Sequence, residues 1–87
     1  MREIEWTNAF KRDFKRQGTF EGSFIEALWK LATDETLPER FCDHRLAGDW
    51  KDCRDCHIKP DLILIYRKPD TEKLQLVRLG SHSELGL

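Results

Sequence analysis

The chain has 87 residues, enough for one compact domain with a modest core and too few for two. Charged residues make up 36% and hydrophobic residues 39%, which excludes fibrous and disordered classes, and no apolar run approaches the roughly 20 residues of a membrane span. The formal net charge of −1 gives no bulk support to nucleic-acid binding, which usually draws on a basic excess, so such a function must rest on local patches.

In chain order, Arg2 to Thr7 reads as a strand with Ile4 and Trp6 on one face. Thr7 or Asn8 can cap the helix that follows, Phe10 and Phe14 form its buried stripe, and Gly18 stops it. A second helix is predicted from about Phe20 to Thr33, with a wide apolar face of Phe24, Leu28, Leu31, Ile25 and Ala32. Leu37-Pro38 ends the helical region. Trp50 to Ile58 reads as a strand, Lys59-Pro60-Asp61 as a turn, Leu62 to Arg67 as a central strand apolar on both faces, Pro69-Asp70 as a turn, and Leu74 to Leu79 as the last strand. Ser81 to Leu85 closes the chain as a helical turn. The order β-α-α-β-β-β predicts a single α+β domain over 1–87, with an antiparallel sheet and two N-terminal helices on one face.

The three cysteines, Cys42, Cys53 and Cys56, are odd in number, and Met1 to Phe10 contains no apolar signal segment. Both features predict reduced thiols and a cytoplasmic protein.

Chemistry concentrates in the second half. Alternation along the strand puts Cys53, Asp55 and His57 on one face and Arg54, Cys56 and Ile58 on the other. Arg78 is expected on the face of Leu74 and Leu76, where a guanidinium needs a partner, and a bound phosphate would be one. His44 lies in a polar loop and His82 just past Gly80. Cleavage of RNA by its own 2′-hydroxyl needs a base, an acid and fixed positive charge on the phosphate. Histidine and arginine suit these tasks, and the scheme needs no metal or other cofactor.

Asp43-His44-Arg45-Leu46-Ala47-Gly48-Asp49-Trp50 resembles a D-H-x-L-x-G-x-W signature. Arg54 to Asp61 resembles R-D-x-H-x-x-P-D, and Arg78 to His82 resembles R-x-G-[ST]-H. Together these spaced motifs resemble the YafQ-like mRNA interferase branch of the RelE/ParE toxin superfamily. The resemblance implies a RelE-like fold and a ribosome-dependent endoribonuclease whose partners are mRNA, the ribosome and a cognate antitoxin. It further implies catalytic His44, His57, Asp61, Arg78 and His82. His82 would be the general acid and Asp61 or His44 the base; Arg78 and His57 would bind the scissile phosphate, and Asp55 would orient a neighbour. Arg54 and Lys59 join Asp55 as substrate-binding candidates, and Lys11, Arg12, Lys15 and Arg16 on the first helix are candidate ribosome contacts. Two aromatic positions of the pattern are lost, one to Leu62 and one to the Leu85-Gly86-Leu87 end, which bears on base stacking.

Three rival readings stand beside this one. A ParE-like toxin acting on a protein target such as gyrase would share the fold without needing the histidines. Cys53-Arg54-Asp55-Cys56-His57 also spells C-x-x-C-H, a haem-attachment pattern. No haem or zinc is expected, because a strand sends the two thiols to opposite faces and Met1 is the only methionine. Finally, Asp55 can be read as a surface ion-pair partner, Asp61 as a turn residue and Trp50 as a core anchor.

Overall fold

A computed structural model describes residues 1–17 and 21–87. Among the described residues, five strands form one open sheet in the order β1-β5-β4-β3-β2: β1 (Glu3–Trp6), β2 (His44–Arg45), β3 (Arg54–Lys59), β4 (Leu62–Arg67) and β5 (Lys73–Gly80). Helices α1 (Asn8–Gln17) and α2 (Gly22–Ala32) follow β1, and α3 (His82–Leu85) closes the chain. Among the described residues, no helix is long and apolar enough to cross a membrane.

The meander β3-β4-β5 is antiparallel as expected, and β4 lies at the centre of the sheet. The sheet is nonetheless mixed, because β1 joins β5 in parallel, pairing Glu3 with Lys73 through Trp6 with Leu76. A strand that leads into a crossover made of helices returns parallel, which the strand pattern alone did not reveal. The second predicted strand, Trp50 to Ile58, also starts later than expected. Gly48–Trp50 form a 3₁₀ turn and β3 begins at Arg54, since Gly48 takes φ +63°, a left-handed conformation that breaks a strand.

Thr7 caps α1, its Oγ1 accepting the Phe10 amide at 3.0 Å. The predicted stop at Gly18 and start at Phe20 lie outside the described residues. From α1 and α2, Phe10, Phe24, Ala27 and Leu31 pack on Cys56, Ile58, Leu64, Tyr66, Leu74, Leu76 and Leu79 of the sheet. Trp6, Phe10, Phe14 and Phe24 add edge and stacked ring contacts, with centroids 4.9 to 6.1 Å apart. Ile25 departs from the predicted apolar face and is exposed together with Trp29. The buried stripe of α2 follows Phe24, Ala27 and Leu31, and Ile25 lies about 100° away from Phe24 around the helix.

The opposite face of the sheet carries a smaller cluster of Cys53, Ile63, Ile65 and Leu85, flanked by Leu46, Trp50 and Val77. The loop before β3 and α3 therefore cover only part of this face, and the candidate site lies on it.

Candidate active site

The strand register sets out the site. Antiparallel partners share a face, so His44, Asp55, Ile65 and Arg78 form one row across β2, β3, β4 and β5. His57, Ile63 and Gly80 form the next row. Arg78 is not on the face of Leu74 and Leu76, as the simple alternation of β5 implied. The register shifts opposite Ile65/Tyr66, so Tyr66 pairs with Leu76 while Ile65 pairs with Arg78. The extra residue, Val77, packs in the smaller cluster, and the bulge delivers Arg78 to the histidine face.

His82 opens α3, a single turn held by a capping box. Ser81 Oγ accepts the Glu84 amide at 3.1 Å, and Glu84 Oε1 accepts the Ser81 amide at 2.8 Å. A Cβ on Gly80 would lie 3.1 Å from Glu84 Oε1, so glycine there lets α3 fold back close to the sheet. Asp61 Oδ1 accepts the His82 amide at 2.9 Å and contacts His82 Nδ1 at 2.7 Å. The two hydrogen bonds from His82 hold the Asp61 carboxyl below the usual carboxylate range despite its exposure. The His57 ring stands edge-on to His82 with centroids 5.2 Å apart.

His44 is held from the other side. Asp43 Oδ1 accepts the Tyr66 hydroxyl at 2.5 Å and lies 3.2 Å from Arg54 Nε, anchoring the loop to β3 and β4. Cys42 takes the left-handed φ of +48° and turns the chain into β2. His44 Nδ1 lies 2.8 Å from the Cys42 carbonyl and 2.9 Å from Asp55 Oδ1. A carbonyl can only accept, so the neutral ring carries its proton on Nδ1 and leaves Nε2 as a bare acceptor. With that proton aimed at Cys42, no donor among the described residues meets Asp55 Oδ1.

Asp55 is only 2% exposed. Burial raises its pKa above the ordinary carboxylate value, and His44, His57 and His82 pull it back only in part. A raised native pKa means that folding is disfavoured as pH climbs past the unfolded value near 3.9. Asp55→Asn is therefore expected to stabilise the fold at pH 7 by about 1 kcal/mol, or roughly 4–8 °C in Tm. The gain should vanish near pH 3, where both states are protonated. Thermal melts at the two pH values test this. A lower Tm at pH 7 would show that attraction to the histidines outweighs burial.

Arg78 has a partner the sequence reading missed. Asp13 on α1 is buried, and its Oδ2 accepts Arg78 Nε at 2.6 Å and the Leu79 amide at 2.9 Å. Its Oδ1 accepts Arg78 Nη2 at 3.3 Å and Arg16 Nη2 at 3.2 Å. Burial alone would raise the Asp13 pKa, but Arg78, the Leu79 amide and Arg16 together bring it below the ordinary value. The available signal was an acidic residue in register with the apolar Phe10/Phe14 stripe.

The structure thus brings His44, Asp55, His57, Asp61, Arg78 and His82 to one face. Alternation turns Arg54 to the opposite face, against Asp43 and Tyr66. Lys59 sits at the hairpin end, its ammonium 2.8 Å from Glu21. Lys11, Arg12, Lys15 and Arg16 are all exposed on α1, and Arg16 also lies 3.5 Å from Glu84. Cys53 and Cys56 are buried on opposite faces.

The sequence matches, over residues 2–86, the family model described as a bacterial toxin of type II toxin-antitoxin system, YafQ. It is 42% identical over 94 residues to a putative toxin YafQ of Haemophilus influenzae, covering 98% of this chain and 92% of that protein. It is 35% identical over 88 residues to the mRNA interferase toxin YafQ of Escherichia coli K12, covering 97% and 95%. A copper-bound mutant toxin from Helicobacter pylori superposes with a TM-score of 0.91 at 41% identity, over 98% of this chain and 99% of that one. The E. coli DinJ-YafQ complex matches with a TM-score of 0.83 at 31% identity, over 98% of each chain.

Proposed function

This chain belongs to the YafQ family of type II toxin-antitoxin toxins, and from that membership we propose how it acts. It is an mRNA interferase, an endoribonuclease toxin with a protein antitoxin as partner. It works in the cytoplasm on mRNA held by the ribosome. The observation that carries the mechanism is the shared face on which two aspartate-backed histidines, His44 and His82, flank His57 and Arg78.

His44 is the general base. Its neutral form donates from Nδ1 to a carbonyl and offers Nε2 to the 2′-hydroxyl proton, and the Asp55 charge behind it stabilises the imidazolium that forms. The 2′-oxygen then attacks phosphorus, and the bond to the 5′-oxygen breaks. His82 is the general acid that protonates that leaving oxygen. Asp61, an ionised carboxylate, is the fitting partner for a doubly protonated ring. Its lowered pKa and its double engagement with His82 favour an orienting role for Asp61 over that of the base. Arg78 and His57 neutralise the charge gathering on the phosphate. The basic face of α1, with Lys11, Arg12, Lys15 and Arg16, contacts ribosomal RNA backbone, and Arg16 links that face to Asp13 and to Glu84 of α3.

Purified protein added to a defined mRNA, with and without translating ribosomes, tests this. Cuts are expected only in the ribosome-containing reaction. Equal cutting of naked RNA would overturn the ribosome dependence. Intact mRNA in both, from protein that still arrests growth, would overturn the nuclease and point to a protein target.

A further inference from the structure

We propose that Asp13 is the positioning residue of the phosphate-binding arginine. It would hold Arg78 by its Nε–Nη2 edge so that Nη1 is aimed at the scissile phosphate throughout the reaction. This rests on the reading of Arg78 as the phosphate ligand.

The observations come from α1 and β5 together. The pairing of β1 with β5 ends at Trp6 and Leu76, and among the described residues no strand continues it along the outer edge of β5. There α1 crosses the edge, with Thr7 Oγ1 donating to the Val77 carbonyl at 2.9 Å. Asp13 meets the Leu79 amide at the same edge. One carboxylate thus collects four donors, one from the backbone of β5 and three from guanidinium groups of Arg78 and Arg16.

A carboxylate of this kind in the protein interior is an expensive device for a surface arginine. An arginine side chain has four rotatable torsions and little intrinsic direction. Two contacts from a rigid carboxylate fix the plane of the guanidinium, and its Nη1 donors stay unused by Asp13. The same aspartate ties down the peptide that leads through Gly80 and Ser81 to His82. Arg78 and His82 are thereby set in one frame by a residue that is itself buried.

Single-turnover cleavage of ribosome-bound mRNA tests the proposal, paired with binding of the same message carrying 2′-deoxy substitution at the cut site. Asp13→Asn is expected to slow cleavage about 10- to 100-fold, the usual cost of a misplaced group, while binding changes less than threefold. Asp13→Asn combined with Arg78→Ala should cleave no more slowly than Arg78→Ala alone, since the asparagine carbonyl oxygen can still accept the Leu79 amide and the loss acts through one guanidinium. An unchanged rate in Asp13→Asn, or losses that multiply in the double variant, would overturn the role. Should Asp13→Asn fail to fold by circular dichroism, Asp13→Glu carries the test. It keeps the charge and displaces the guanidinium by about one methylene, so a native melt with a slowed cut supports the proposal, and a native rate overturns it. A wild type that cuts no message at all would instead defeat the functional reading, and this inference with it.

Discussion

Replacing His82 by alanine is expected to lower the rate of mRNA cleavage by about 10²- to 10⁴-fold, the range that a general acid supplies. The loss should fall on the cutting step, because the poor leaving group is the 5′-oxygen, which His82, paired with Asp61, protonates in the proposed mechanism. His57, 5.2 Å away between ring centroids, has no carboxylate hydrogen-bonded to it among the described residues and serves the phosphate. Stability should change little, since His82 is half-exposed and the turn it opens is held by Ser81 and Glu84. In cells, wild type should arrest growth and leave defined in-frame cuts in primer extension, while His82→Ala should do neither. Equal toxicity of the two proteins would remove His82 from the chemistry. Growth arrest without cuts from either would favour a non-nuclease toxin.

Arg78→Ala should damage the enzyme in two separable ways. Loss of the fixed cation is expected to slow cleavage about 10²- to 10³-fold, the cost of removing one donor aimed at developing charge. It also strands the buried Asp13 carboxylate. Breaking a fully buried pair costs about 3–5 kcal/mol; because Arg78 is partly exposed and Arg16 still reaches Asp13, about 2 kcal/mol is expected here. Urea unfolding of Arg78→Ala should show this loss, and adding Asp13→Asn should restore most of it without restoring any of the rate. Stability that stays low in the double variant would mean that Arg78 contributes through packing of its stem and not through its charge.

The same carboxylate gives the fold a sensitivity to acid. A depressed native pKa contributes stability that is complete above the unfolded value and is lost as pH falls through the native one. Asp13 and Asp61 both have depressed values, whereas Asp55 is shifted the other way by burial. Acid below about pH 4 therefore loosens the α1–β5 contact and the His82 turn while relieving the strain at Asp55.

Several features of this protein were legible from residue order alone. Strand alternation is a local property, so the split of Asp55 and His57 from Arg54 and Cys56 follows from period two and holds in the structure. The apolar run Leu62 to Arg67 marked a central strand because only a strand covered on both faces can bury such side chains. The capped turn at Ser81 was likewise written in adjacent residues. Local periodicity could not reveal the bulge opposite Ile65, which exists because two strands far apart in sequence pair out of step and which decides the face Arg78 occupies. Nor could it reveal the parallel return of β1, or the meeting of Asp13 with Arg78 across 65 positions of chain. The exposure of Ile25 belongs with these, since the turn of a helix against its sheet is set by the whole apolar stripe. The sequence by itself determined which chemical groups are present, the local elements that carry them and their faces within regular strands. Register, bulge and helix docking decided which of those groups meet, because they depend on packing between segments that the chain order keeps apart.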